Sequence, residues 1–371
     1  MPANPLAQLG ALGQSPWIDH ITRDLLQTGE LRRLIAEDGL RGMTTNPIIF
    51  EKAVAGSDHY DAAIRTLADS GVDPAEIVET LAVADVRAAC DQFLPQYQAS
   101  DGGDGFVSLE VSPRLANDTD GTVREARRLW EAVDRPNVMI KIPGTLAGLP
   151  AITRCLIRGL NVNVTLLFSV PRYCQVMDAY LTGLEQRRAR RESIQQVASV
   201  ASFFVSRIDT KLDPVLEQSG DATVRALRGT IAIANALVAY EAFQQTFRGP
   251  RWDALAREGA RVQRPLWAST SAKDPAFPDV YYVEALIAPD TVNTMPPETW
   301  KAYGHHGRPQ VRVTEPAISE AKQRLATLAG AGVNLDDVTA ALETEGVQKF
   351  SASYATLLSG VRQKAAAMAS I

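Results

Sequence analysis

Apolar and polar positions along this chain fall into a repeated two-part pattern. Short runs rich in β-branched and aromatic residues, the kind that form strands buried on both faces, alternate with longer stretches in which apolar residues recur at helical spacing. The runs occupy residues 16–19, 42–47, 106–113, 137–145, 161–168, 197–205, 265–270 and 281–287. Helical spacing covers 21–35, 58–69, 74–97, 171–184 and 222–247, and a helical tail extends over about 336–368. Two further helices carry visible caps: Asp118 precedes a face of Val123, Ala126, Leu129 and Val133, and Thr145 precedes Leu149, Ile152, Leu156 and Leu160. Pro47 biases Asn46 away from helical backbone and closes the second run, while Asp101-Gly-Gly-Asp-Gly105 is too glycine-rich for either element. Eight strands separated by helices, with no break in composition, predict an α/β fold. The expected architecture is a single (β/α)8 TIM barrel over residues 1–371, with a loose N-terminus over about 1–14 and additional C-terminal helices over about 336–371.

Composition limits the field more than it directs it. At 46% hydrophobic and 22% charged residues the chain is ordinary globular material. A net charge of −5 argues against a general nucleic-acid surface yet leaves room for a local positive pocket around one phosphate. The start, Met1-Pro-Ala-Asn-Pro5, lacks the basic and apolar parts of a signal peptide, and no apolar run approaches the roughly 20 residues that span a bilayer. A cytoplasmic location is therefore expected, with no membrane partner. Cys90, Cys155 and Cys174 are odd in number and widely spaced, which fits reduced thiols. The four histidines lack ligand spacing, so no metal is expected.

Against this background the polar residues at the predicted strand ends stand out. Lys141 interrupts an otherwise apolar run. Burial without a fixed counter-charge favours the free amine over the ammonium, and a free amine is what Schiff-base chemistry requires. Taken alone, Lys141 could equally snorkel to solvent or pair with a carboxylate. It is not alone, however. Asp19 ends the first run, Asn46 the second, and Glu110 lies in the third; Asn163 and Thr165 lie in the fifth, Ser202 in the sixth with Arg207 just beyond, and Lys273 follows the seventh. In a (β/α)8 barrel these ends converge on the C-terminal mouth, where chemistry is carried out. Buried polar groups are costly unless paired, so a shared polar site is the economical explanation. One lysine, two carboxylates and a basic rim suit iminium formation, cleavage of the adjacent carbon–carbon bond with two separate proton transfers, and a phosphorylated sugar held by Arg207 and Lys273.

Several strings extend the case: Gly42-Met-Thr-Thr-Asn-Pro-Ile-Ile-Phe50, Val107-Ser-Leu-Glu-Val-Ser-Pro113, Val138-Met-Ile-Lys-Ile-Pro-Gly144, Asn161-Val-Asn-Val-Thr-Leu-Leu-Phe-Ser169 and Ala201-Ser-Phe-Phe-Val-Ser-Arg207. In this order, over nearly the whole chain, they resemble the transaldolases, and in particular the longer bacterial branch of that class I aldolase group. The resemblance implies a Schiff-base lysine at Lys141, acid/base carboxylates at Asp19 and Glu110, and substrate contacts at Asn46, Asn163, Thr165, Ser202 and Arg207. It implies transfer of a dihydroxyacetone unit from sedoheptulose 7-phosphate to glyceraldehyde 3-phosphate in the pentose phosphate pathway, without cofactor or metal. Asp19 would take the proton from the hydroxyl that becomes the leaving aldehyde, and Glu110 would serve iminium formation through a water. One departure from the family pattern lies after the seventh run. Where many members carry a second phosphate-binding arginine, this chain has Ala268-Ser-Thr-Ser-Ala-Lys273, and Lys273 is expected to stand in for it. Sugar phosphates are the expected partners, and a homo-oligomer is compatible with the composition. Two rival readings are an aldolase that releases free dihydroxyacetone from the same lysine, and a silent barrel that binds sugar phosphates or a protein.

Overall fold

The computed structural model describes residues 4–369. Its eight strands are β1 (Gln14–Asp19), β2 (Gly42–Thr44), β3 (Phe106–Glu110), β4 (Val138–Pro143), β5 (Val162–Leu167), β6 (Ser199–Phe204), β7 (Arg264–Ala268) and β8 (Thr291–Met295). All neighbours are parallel, in sequence order, and β8 pairs with β1 to close the barrel. This is the expected (β/α)8 architecture, and each strand is buried on both faces because helices cover the outside and side chains fill the inside. Register brings the predicted site residues side by side. Glu110 stands opposite Lys141, Lys141 opposite Asn163, and Asp19 opposite Thr44.

Several expectations need correction. The last strand is not 281–287. The aromatic and β-branched run there forms a short helix, Tyr281–Ala285, that buries Tyr282 and Val283, and the strand follows at Thr291–Met295. Its Thr-Val-Asn-Thr-Met sequence hides the strand, because a polar pair, Asn293 and Thr294, is buried there. The helical stretch 21–35 is two helices, Arg23–Gln27 and Glu30–Glu37, parted by Gly29 at a φ of 86° that favours glycine. Likewise 222–247 divides into Ala222–Arg225 and Ile231–Thr246. The N-terminus is not loose throughout 1–14, since Pro5–Ala11 is a helix capped by Asn4 and anchored by buried Leu6 and Leu9. Asp118 caps as expected, accepting from Gly121 N at 2.9 Å. The tail is one long helix, Leu335–Ala369, which packs on the helices Pro47–Ala55, Asp61–Asp69 and Pro74–Ala99.

The N-terminal end of the barrel is closed by charge. Asp104, from the glycine-rich loop, meets Arg264 at 3.0 Å and Arg41 at 3.1 Å and accepts from Ser15 Oγ at 2.7 Å. Arg264 also donates to Ser15 Oγ and Gly103 O. Such a cluster stabilises the end of the barrel remote from the strand termini where chemistry is expected. Asp104→Ala leaves two guanidinium groups without their carboxylate and should cost about 2–3 kcal/mol in a urea titration, with activity per folded molecule unchanged.

Candidate active site

At the C-terminal mouth lies a cavity of about 360 Å³ lined by Asp19, Asn46, Lys141, Ser202, Arg207 and Lys273 among others. Lys141 projects from β4 with 3% of its surface exposed and donates from Nζ to Thr45 O at 2.9 Å. It is not without a counter-charge: Glu110 Oε2 approaches Nζ at 3.3 Å, and both side chains are nearly inaccessible to solvent. Neither Glu110 oxygen accepts a hydrogen bond. Burial raises the Glu110 carboxyl above its ordinary range against the pull of Lys141. Asp19, at the end of β1, accepts from Thr44 Oγ1 at 2.6 Å. Burial raises this carboxyl too, and the Lys141 charge and the Thr44 hydroxyl draw it back. One amine thus interacts with two acids in different surroundings.

The strand-end polar residues do not all face the cavity. Asn163 is fully buried, donating to Ser108 Oγ at 2.9 Å and accepting from Ser202 Oγ at 2.7 Å. Thr165 is buried with no partner for its hydroxyl. Glu110, Asn163 and Thr165 therefore form the layer behind the cavity wall, and Ser202 connects that layer to the front. Asn46 caps the helix Pro47–Ala55, accepting from Ile49 N at 3.1 Å, which fixes the turn that carries it into the mouth.

The cations gather on one side. Arg207 stacks on Phe204 at 4.9 Å, and among the described residues no carboxylate pairs with it, with Lys273 or with Lys52. Burial lowers the pKa of Arg207, and burial together with Lys349, Arg207 and Lys52 lowers that of Lys273. Lys273 keeps an exposed side chain and donates to Ser271 Oγ. The acids that neighbour them in sequence are engaged elsewhere: Asp274 with Arg228, and Asp209 with Ala232 N at 2.7 Å and Tyr282 OH at 3.0 Å.

Sequence reasoning missed several wall residues. Lys52 comes from the helix Pro47–Ala55, His20 and Glu298 from loop and helix ends, and Thr44 from β2. Thr44 had a visible signal, standing in the Thr-Thr-Asn-Pro string. Phe350 had none: it comes from the tail helix, more than two hundred residues away in sequence, with its ring centroid 5.9 Å from Lys141 Nζ. Among the described residues no three His, Cys, Asp or Glu side chains gather as a metal site would require, and no helix is long and apolar enough to cross a membrane.

Fold and site together define an enzyme of the (β/α)8-barrel class. The model of the transaldolase/fructose-6-phosphate aldolase family matches residues 16–361. The transaldolase of Frankia alni is 51% identical over 362 residues, 98% of each chain. That of Thermobifida fusca is 50% identical over 364 residues, 98% of this chain and 99% of its own, and that of Mycobacterium tuberculosis is 49% identical over 361 residues, 97% of each. This chain belongs to the transaldolase/fructose-6-phosphate aldolase family and is a transferase.

Asp209 is a buried carboxylate that does not line the mouth, and its part in stability can be tested. Burial pushes its carboxyl up to about 7 from 3.8. The folded state then binds the proton more tightly than the unfolded chain, so this residue's contribution to stability falls as pH rises between those values. Asp209→Asn keeps an acceptor for Ala232 N and a donor for Tyr282. Melting curves from pH 4 to 8 should show the variant gaining on the unsubstituted protein as pH rises.

Proposed function

We propose that this protein is a transaldolase that carries a dihydroxyacetone unit from sedoheptulose 7-phosphate to glyceraldehyde 3-phosphate on Lys141, giving erythrose 4-phosphate and fructose 6-phosphate. The observation that carries the reading is the 3.3 Å pair of Lys141 and Glu110, with Asp19 lining the same mouth as the amine and within reach of its charge. Glu110, its carboxyl raised by burial, accepts the ammonium proton and frees the amine to attack the donor ketone. It returns that proton to the carbinolamine hydroxyl, water leaves, and the nitrogen lone pair completes the iminium. Asp19 then removes the proton from the neighbouring hydroxyl. The carbon–carbon bond breaks, an aldehyde departs, and the electron pair settles into an enamine on Lys141. The acceptor aldehyde is attacked by that enamine, Asp19 gives its proton to the new alkoxide, and water releases the product ketose from the amine.

Binding follows the same geometry. The unpaired Arg207 and Lys273 receive the phosphate, Arg207 as a planar fork and Lys273 as a point charge. Asn46 and Ser202 contact donor hydroxyls, and Asn163 and Thr165 back the wall from behind, Asn163 by holding Ser202. The sugar phosphates and the cytoplasmic setting of their metabolism belong to this reading.

Borohydride added with fructose 6-phosphate should leave one reduced three-carbon adduct, mapped by peptide mass to Lys141; an adduct on Lys52, Lys211 or Lys273 would refute the assignment. The carboxylates should separate by step. Asp19→Asn should still trap the donor but cleave it poorly, and Glu110→Gln should slow trapping itself, each by about 10²–10⁴. Wild-type rates in both would end the reading. The cations should separate by substrate. Arg207→Ala should lose far more kcat/KM on fructose 6-phosphate than on fructose, and Lys273→Ala should show a smaller loss of the same kind; equal losses on both sugars would remove that residue from the phosphate site.

A further inference from the structure

Asp19 is served by two neighbouring strands. β1, which ends on Asp19, lies between β2 and β8, with Asp19 in register with Thr44 on one side and Trp17 in register with Thr294 on the other. Thr44 donates from Oγ1 to Asp19 Oδ1 at 2.6 Å, and the hydroxyls of Thr44 and Thr294, 250 residues apart in sequence, meet at 2.8 Å. Each hydroxyl has one proton to give. Thr44 gives its own to Asp19, so the proton between the two threonines belongs to Thr294. The pair is a one-way relay from β8 through β2 to the carboxylate. Both threonines are buried, and both border the mouth. Neighbouring threonines are engaged otherwise: Thr45 Oγ1 donates to Ser108 O at 2.7 Å and Thr270 Oγ1 to Asn293 Oδ1 at 3.0 Å. Those bonds end on a carbonyl and an amide, whereas the relay ends on an acid. Among the described residues no donor reaches the second oxygen, Asp19 Oδ2. The charges that face Asp19 are Lys141 from β4, Arg207 from the helix Ser206–Glu217, Glu110 from β3 and the adjacent His20.

We propose that Thr44 and Thr294 are positioning residues for the proton transfer of carbon–carbon cleavage: their relay occupies Asp19 Oδ1 and reserves Oδ2 for the substrate hydroxyl. The inference rests on the Schiff-base reading above and goes beyond it by assigning the travelling proton to one oxygen. Protonating Oδ1 instead would require both threonine hydroxyls to turn, in a buried layer where an unmade hydrogen bond is costly. In cleavage the O–H bond of the donor hydroxyl breaks and its proton goes to Oδ2. The carbon–carbon bond breaks with it, and the electron pair passes into the enamine on Lys141. In the return step Oδ2 gives that proton to the new alkoxide. The Thr44 hydroxyl also favours the ionised carboxylate, against the burial that raises its pKa, so Asp19 is kept a base where burial disfavours its charge. Thr45 supplies the companion contact. Its carbonyl accepts from Lys141 Nζ at 2.9 Å, so two adjacent residues at the end of β2 fix the base and the amine relative to each other.

The test is a single turnover of the full chain with fructose 6-phosphate, repeated from about pH 5 to 9. Borohydride quenching counts six-carbon and three-carbon adducts on Lys141 while released glyceraldehyde 3-phosphate is measured, so iminium formation and cleavage are timed separately. Thr44→Val removes the hydroxyl at nearly constant shape, Thr44→Ser keeps it, and Thr294→Val removes the second member of the relay. In Thr44→Val cleavage should slow roughly tenfold or more on the acid side. Its acid limb should move to higher pH because less Asp19 is ionised, while the six-carbon adduct forms at an unchanged rate. Thr44→Ser should restore both rate and limb, and Thr294→Val should move the limb the same way by less. Damage to packing alone would lower the rate at every pH and leave the limb in place. An unmoved acid limb in folded Thr44→Val, or a limb that Thr44→Ser does not restore, overturns the proposal. Should Thr44→Val not fold, an unmoved limb in Thr294→Val does so. If the unsubstituted chain yields no adduct, the Schiff-base reading itself falls and this inference with it; adducts with an unmoved limb sink the relay alone.

Discussion

Lys141 and Glu110 hold opposite charges 3.3 Å apart with almost none of either side chain exposed to solvent. Removing two ions from water costs several kcal/mol each, and their mutual attraction recovers that only where geometry is good and remaining polar atoms are served. The pair here is incompletely served, since Glu110 accepts no hydrogen bond while Lys141 has one carbonyl, that of Thr45. The surrounding structure therefore carries the stability. Parallel strands with long apolar faces, helices on every side and the register that sets Glu110 opposite Lys141 keep the two charges where isolated they would not stay.

The tail helix belongs to the same arrangement. Phe350 covers Lys141, and Gly346 allows close approach to Leu166 of β5, where a side chain would collide. Leu166 has a φ of 60°, which a leucine rarely adopts, at the point where the β5–β6 register shifts. Strain of this kind persists where surroundings hold it in place, and the buried contact with the tail helix supplies that restraint. The C-terminal helix is thus a wall of the site as well as an extension of the barrel.

The two ends of the barrel use charge differently. At the N-terminal end Asp104 is satisfied by Ser15, Arg41 and Arg264. At the mouth Arg207, Lys52 and Lys273 have no carboxylate partner among the described residues. Neutralised charge stabilises, while unpaired charge held by burial and a stacking ring is available to an anion.

The chain's own pattern determined the fold class, the positions of seven of the eight strands, and the polar residues at their ends. These follow from local physics: β-branched apolar runs disfavour helix, proline and glycine end them, and a lysine or glutamate inside such a run is conspicuous. Locality also explains the errors. Residues 281–287 have a strand's composition but turn helical, while Thr291–Met295 is a strand because pairing with β1 closes the barrel. Tertiary structure alone decided that Lys141 has Glu110 as its counter-ion, that Asn163 and Thr165 stand behind the cavity, and that Lys52 and Phe350 join the wall. Each of these depends on which distant segments pack together, and burial and charge energies are set by that packing, which no local run of residues encodes.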